Sequence, residues 1–432
     1  MKSRFIRAFW LTIALGTPLI PISMYFAENW YSLFHSYSLG IVFGITGFVF
    51  LLNALILSTR IRYFDGLFGH NNVLIFHAFL ALGGVFCIGL HFFFKHEFIS
   101  ADNWQTNIGI TSFILFLLVT FITTLFMINL YDLSLIKRIQ KRFRPDYSFL
   151  KLFHNITSLA ILIAGVHVLF ASSTQESFSR IAFFALYLFT AMLFYIHHKV
   201  IRQVINLNRK LKISRIENLN DNTIEIQIKG KIREHKPGQF AYFRMLSNEC
   251  GYWEHPFTIS SCPDKNTLLL TVKKVGNYTR KLSKIPVGTP VIMDGPYGLF
   301  TPEQSDKPLI FISGGIGITP FLSIIRQWDK DGFSSDVHLF WSTRTAQEMH
   351  PYRKQLETVA EKHTRFSFYP VISGNNSEHI NTDMLKTNTG ASWKQKPQIY
   401  ICGPSGMLKE LPAELIHSGV SRRSIITEKF SL

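Results

Sequence analysis

Six runs of roughly twenty apolar residues, near positions 5–26, 38–58, 72–94, 108–130, 150–171 and 180–200, occupy the first half of this chain. At 1.5 Å rise per residue, each makes a helix about 30 Å long, the thickness of bilayer hydrocarbon. Residues 1–205 are therefore expected to form an α-helical bundle of six transmembrane spans. Six crossings return the chain to the side on which it began. Sixteen basic residues flank the spans on that side: Lys2, Arg4, Arg7, Arg60, Arg62, Lys137, Arg138, Lys141, Arg142, Arg144, Lys151, Lys199, Arg202, Arg209, Lys210 and Lys212. The opposite loops offer Lys95 and Arg180, so the positive-inside rule places both ends in the cytoplasm. Those opposite loops are too short to hold an external domain. The first run, with its basic start, has the look of a signal peptide; the lack of a small-residue cleavage site and the five spans after it favour a retained helix.

The formal charge of +17 is concentrated beside the apolar runs, which points to a lipid surface and away from nucleic acid. Cys87, Cys250, Cys262 and Cys402 lie too far apart in sequence to suggest a zinc site or a disulfide framework.

The third run carries His77 and His91, and the fifth carries His154 and His167. A lone histidine within a span is more often a hydrogen-bonded core residue than a ligand, but two on each of two helices reverse that preference. Fourteen residues separate the first pair by about 21 Å and return the second ring to within about 40° of the first, so one helix face can ligate at two depths. Thirteen residues give the other pair a rise of about 20 Å but a mismatch of about 140°, so the fifth helix must twist locally or the groups it binds must be offset. Both helices run outward from the cytoplasm, which pairs His77 with His154 at the inner depth and His91 with His167 at the outer. Imidazole on both axial sides of a haem iron leaves no open position and suits electron transfer. Gly83, Gly84 and Gly165 lie near the ligands, where they either admit a macrocycle or serve helix packing. His70, His96, His197 and His198 fall near span ends, where solvated or headgroup-facing roles are expected, and His35 lies in the first outer loop.

Beyond about residue 205 the pattern changes to short alternating strands broken by Gly and Pro, which predicts an antiparallel β-barrel over 206–305. It contains His255-Pro256-Phe257-Thr258, offering a ring and hydroxyls to a flavin, and Gly276-Asn277-Tyr278-Thr279, a turn suited to a pyrophosphate. Residues 306–432 read as an α/β nucleotide-binding domain. There the strand at 308–313 runs into Gly314-Gly315-Ile316-Gly317-Ile318-Thr319-Pro320 and then an amphipathic helix, a phosphate cradle with Pro320 in the helix's first turn. After the next strand, Arg344 stands where an NAD site places an acid, and suits the 2′-phosphate of NADPH. Cys402 ends a later strand, followed by Gly403, Pro404 and Met407.

Six spans, paired histidines at spacings of 14 and 13, HPFTISS, GGIGITP and CGP together resemble the NADPH oxidase and ferric reductase family, including its compact bacterial members, over nearly the whole chain. That family shares the awkward spacing of 13. The resemblance implies a ferredoxin-NADP reductase-like soluble half. It assigns His255, Pro256, Phe257, Thr258, Gly276 and Thr279 to FAD, and Gly314, Gly315, Gly317, Thr319 and Pro320 to the pyrophosphate of the nucleotide. Cys402, Gly403, Pro404 and Met407 would lie near the nicotinamide, and Phe430 would stack on the flavin, although Ser431 and Leu432 follow it where the family's aromatic is often terminal. The expected function is electron transfer from cytoplasmic NADPH, or NADH, through FAD and two b-type haems across a bacterial inner membrane, with no protein partner required. Dioxygen, giving superoxide, is the preferred acceptor, and a ferric or other metal chelate is the alternative. A haem carrier serving a partner protein and a tethered flavin reductase are the competing classes.

Overall fold

The computed structural model describes residues 2–27, 30–98, 103–127, 138, 142–143, 147–374 and 379–429. The chain divides into two compact units, Met1–Arg202 and Gln203–Leu432.

Six helical stretches, all but the end of the last within the first unit, are long and apolar enough to cross a membrane: Arg4–Phe26, Ser36–Ser58, His70–Lys95, Trp104–Phe126, Phe149–Phe170 and Phe178–Leu207. The first consists of α1 (Lys2–Gly16) and α2 (Leu19–Phe26), which part at Pro18, whose ring removes a backbone donor. Then follow α3 (Ser36–Ser58), α4 (His70–Lys95) and α5 (Trp104–Met127). The fifth stretch is divided into α6 (Tyr147–His154) and α7 (Ile156–Phe170), and the sixth begins as α8 (Phe178–Ile196). The interruption falls immediately after His154, at Asn155, whose backbone stays in the right-handed helical region (φ -65°, ψ -15°). Its N–H is shared between the carbonyls of Lys151 and Leu152 at 3.2 and 3.1 Å, a bifurcation that slackens the regular ladder.

Apolar residues pack the inside of this unit and also coat its outside. Val49, Leu52 and Leu80 are fully buried, whereas Phe79, Phe86 and Phe93, seven residues apart on one face of α4, are 59%, 67% and 63% exposed. A surface of this kind is unfavourable in water and neutral in hydrocarbon. The helices α3 and α4 approach backbone to backbone: a Cβ on Gly47 would stand 2.8 Å from the Gly84 carbonyl, and one on Gly84 would stand 3.0 Å from that of Gly47. A Cβ on Gly165 would stand 2.5 Å from Leu188 on α8. Gly84 and Gly165 thus serve helix packing. A Cβ on Gly83 would have no neighbour nearer than Phe50 at 3.8 Å.

The second unit contains two sheets. The antiparallel one has six strands, β1 (Leu211–Asn220), β2 (Thr223–Lys229), β3 (Phe240–Met245), β4 (Glu254–Thr258), β5 (Thr267–Lys273) and β6 (Pro290–Tyr297), in the order β4-β3-β6-β1-β2-β5. Inward Ile224, Ile226 and Ile228 alternate along β2 and build its core with Leu268, Leu270 and Val272 of β5. The second sheet is parallel, with β7 (Leu309–Gly314), β8 (Val337–Thr343), β9 (Phe366–Ile372), β10 (Gln398–Gly403) and β11 (Ile425–Lys429) in the order β11-β10-β7-β8-β9. The strand order reverses between β7 and β10, so a topological switch point lies at their carboxyl ends, where ligands bind in sheets of this class.

Candidate cofactor sites

Within the helical unit, four histidines from two helical stretches meet as two pairs. The ring centres of His77 and His154 are 6.1 Å apart, and those of His91 and His167 are 6.2 Å apart. Two imidazoles bound to one metal at about 2 Å from opposite sides would place their ring centres roughly 6.3 Å apart, so the spacing of both pairs fits two residues that would share one metal. Among the described residues no group of three or more His, Cys, Asp or Glu could hold a bare metal ion. A pair of imidazoles would suit a metal that a macrocycle already holds, such as the iron of a haem.

Backbone carbonyls orient three of the four rings. The Nδ1–H of His77 donates to Ala54 at 2.8 Å, that of His91 to Gly40 at 2.7 Å, and that of His167 to Gln105 at 2.9 Å. A carbonyl only accepts, so each Nδ1 carries the proton and each Nε2 is left bare for a metal. The His154 Nδ1 is buried without a hydrogen-bond partner.

The His91–His167 pair shares a device that the sequence alone does not reveal. Four residues after each accepting carbonyl stands a glycine. A Cβ on Gly44 would lie 2.6 Å from the Nδ1 of His91, and one on Gly109 would lie 2.8 Å from the Nδ1 of His167. These glycines let the imidazoles lie against the neighbouring helix. Both line a cavity of about 260 Å³ that also contains His91, His167, Lys95 and Tyr37. The Lys95 ammonium lies 3.1 Å from the centre of the Tyr37 ring.

The remaining histidines divide differently from the sequence expectation. His96 and His197 are exposed at span ends, as expected. His70 and His198 are only 6% and 5% exposed, so the solvated role does not hold for them. Asp65 lies 3.2 Å from the Nδ1 of His70, and Arg202 donates to the Nδ1 of His198 at 3.3 Å; such partners make burial of the rings tolerable. His35 caps the start of α3 by accepting from the Tyr37 N–H at 3.3 Å.

In the antiparallel sheet, β3 and β4 pair with Phe243 opposite His255 and Arg244 opposite Glu254. The His255 ring stacks on Tyr278 at 3.6 Å, and Phe257 lies nearly parallel to Tyr278 at 6.4 Å, so the His255–Thr258 and Gly276–Thr279 segments form one aromatic wall. Thr258 is buried, and Pro256 is partly exposed beside it. The Thr279 hydroxyl accepts from the N–H groups of Val275 and Gly276 at 3.1 and 3.0 Å and holds the turn shut. A Cβ on Gly276 would meet no protein atom within 4 Å, which leaves room for a ligand to approach the turn. The Arg244 Nε is buried and unpaired in the protein, a polar group of the kind a flavin nucleotide would satisfy. Burial, together with Cys250, pushes the Tyr278 phenol far up, so it stays protonated. Sequence reading passes over Arg244, because only its register opposite Glu254 places it here.

At the switch point, β7 runs into the turn Gly315–Ile318 and then α9 (Thr319–Asp331), with Pro320 in its first turn. This turn interlocks with the loop after β10. A Cβ on Gly317 would stand 2.2 Å from the Cys402 carbonyl, one on Gly314 would stand 2.6 Å from Pro404 and 3.0 Å from Met407, and one on Gly403 would stand 2.9 Å from the Met407 sulfur. Gly315 has φ +54°, and its carbonyl accepts from the buried indole Nε1 of Trp341 at 2.9 Å. The Thr319 hydroxyl donates to the Ile316 carbonyl at 3.1 Å. The Ser313 hydroxyl, buried at the end of β7, has no protein partner. Cys402 is fully buried in the hydrophobic core, and burial, with Glu428 adding to it, raises its thiol well above the usual range. It is the Cys402 carbonyl that supports the cradle. Arg344 is exposed just beyond β8, and a Cβ on Gly374 would stand 2.2 Å from its carbonyl, so the chain after β9 presses on its backbone. Phe430 lies outside the described residues.

The FAD-binding domain family matches residues 208–301, and the oxidoreductase NAD-binding domain family matches 311–411. The heavy chain of the superoxide-generating NADPH oxidase of Dictyostelium discoideum is 29% identical over 180 residues, covering 35% of this chain and 35% of that protein. Dual oxidase 2 of Rattus norvegicus is 27% identical over 202 residues, covering 42% of this chain and 13% of that protein, so the matched region is similar to that of NADPH oxidases. The second unit therefore carries FAD- and NAD-binding domains of NAD(P)H oxidoreductases. The anthranilate 1,2-dioxygenase electron transfer component of Acinetobacter baylyi is 27% identical over 210 residues, covering 45% of this chain and 57% of that protein. The chain thus spans between 13% and 57% of these relatives' lengths. A ferredoxin NADP+ reductase from Neisseria gonorrhoeae, solved with FAD and NADP, aligns with TM-score 0.44 at 23% identity, covering 51% of this chain and 98% of that one.

Proposed function

We propose that this protein carries electrons from cytoplasmic NADPH through FAD and two b-type haems to dioxygen on the far side of a bacterial inner membrane, giving superoxide. The observation that carries the reading is the pair of imidazole separations, 6.1 and 6.2 Å, at two depths of one bundle. In it, residues 1–205 form the haem domain, 206–305 a barrel for FAD, and 306–432 the nucleotide domain.

FAD, when bound, converts two-electron hydride chemistry into single electrons, and bis-imidazole haems pass single electrons on. The chain's own residues position these groups. The turn at Gly314–Thr319 and the loop at Gly403–Met407 hold the dinucleotide against the carboxyl ends of β7 and β10, with Arg344 reaching the 2′-phosphate. The aromatic wall of His255, Phe257 and Tyr278 and the guanidinium of Arg244 receive the flavin, and Phe430 is assigned to cover its ring. His77 with His154, and His91 with His167, ligate the two haems, and apolar helices insulate the path. No acid or base on the protein is required for the transfer.

The test uses purified protein in sealed vesicles, with NADPH added on the nucleotide-domain side. NADPH consumption with superoxide dismutase-sensitive dye reduction on the opposite side is the expected result. NADPH consumption without superoxide, but with ferrous iron formed from a ferric chelate, would replace dioxygen with a metal chelate as the acceptor.

A further inference from the structure

We infer that the His77–His154 site is the more easily reduced of the two haem sites, because one of its ligands keeps an Nδ1 without a backbone acceptor. The inference rests on the haem reading above and concerns how the chain sets the two sites apart.

Both ligands of the His91–His167 site donate Nδ1–H to a carbonyl, at 2.7 and 2.9 Å, with a glycine four residues further on clearing space for the ring. Such a bond gives the imidazole partial anionic character and makes it a stronger donor, which favours the ferric state. At the other site His77 has the same support, from Ala54 at 2.8 Å, and the His154 Nδ1 has none. Gly40 and Ala54, the carbonyls that serve α4, lie fourteen residues apart on α3. The same step along α5 from Gln105 leads to Val119. Its carbonyl already accepts from the Thr123 hydroxyl at 2.7 Å, and Thr123 occupies the position that glycine holds at the other site. The helix is also interrupted at Asn155, next to His154.

Among the described residues, a lysine lies beside each site. Lys199 lies in a π-helical turn, His197–Ile201, and donates to the Asn155 side chain at 3.1 Å, beside His154. Lys95 follows His91 by one turn and lines the cavity of the second pair. With a cation at each site, the missing carbonyl bond sets the order: three supported imidazoles, one unsupported, and the unsupported one on the His77–His154 iron.

Spectroelectrochemical titration of the purified full chain tests the inference, with two variants assigning the waves. Removing a nearby cation makes ferric iron harder to reduce, so Lys199→Met should lower one wave and Lys95→Met the other. The wave lowered by Lys199→Met is expected to be the more positive of the two in the unaltered protein. Coincident waves, or a Lys199→Met shift in the more negative wave, would overturn the inference. If Lys199→Met loses haem, Lys95→Met answers the same question, because the wave it lowers should be the more negative one. A protein with no haem spectrum at all would instead remove the haem reading, and that is visible before any titration begins.

Discussion

In the helical unit the working groups are side chains supported by backbone, whereas in the soluble unit they are backbone groups supported by side chains. Gly40, Ala54 and Gln105 lend carbonyls to three imidazoles. In the nucleotide cradle the relation is inverted: Trp341 holds the Gly315 carbonyl, and Pro404 and Met407 pack where a side chain on Gly314 would be. The difference follows from what each site would hold on the proposed reading. A metal needs a lone pair projected from a rigid helix, and an anion needs N–H groups brought close by a turn without side chains. Loss of function should therefore come from deleting a side chain in the first unit and from adding one in the second.

The largest expected effect is at the ligands. His91→Ala should reduce haem from two to one per chain and depress NADPH-driven transfer across the membrane by a factor of at least about a hundred, while NADPH oxidation by a soluble dye acceptor persists. Haem quantification with both assays checks this, and transfer that survives with one haem would break the comparison. In the soluble unit the counterpart is Gly317→Ala. Its Cβ would sit 2.2 Å from the Cys402 carbonyl, a clash worth about 1–3 kcal/mol, so NADPH binding should weaken roughly tenfold to a hundredfold with FAD content unchanged. Gly109→Ala reverses the rule within the helical unit, because it adds a side chain that presses on His167. It should weaken haem retention at that site by roughly tenfold, measured by haem loss on dilution. Replacing Arg344 by Ala should cost NADPH roughly tenfold in KM with little change for NADH, the loss of one charge-assisted contact. Smallest is Trp341→Phe, which removes one hydrogen bond of about 1 kcal/mol and should raise KM for NADPH about fivefold with kcat nearly unchanged.

What was legible in sequence follows the same division. Histidine spacing survives as a one-dimensional signal because a helix converts residue number into depth and azimuth. That is why the pairs could be anticipated. The strand, Gly314–Pro320 and helix were legible because turn chemistry is local. The supports were not. Gly44 and Gly109 look like any small residue in a span, and their role appears only when the neighbouring helix lays a ring on them. Gly84 and Gly165 sit closer to the ligands in sequence but pack against Gly47 and Leu188 instead. His70 and His198 read as headgroup residues because Asp65 and Arg202 could not be seen to approach them. Arg244 and Trp341 escape notice for the same reason: pairing across a sheet or beneath a loop carries no sequence period.

The central claim is that electrons entering at the nucleotide cradle reach iron held between paired histidines. Its most direct test is the absorption spectrum of purified protein under anaerobic conditions, before and after NADPH. A low-spin, bis-histidine haem spectrum that converts to the reduced form on NADPH, with two haems and one FAD per chain, is the predicted result. Flavin bleaching in a protein that binds no haem, or haem that remains ferric while the flavin is reduced, would contradict it.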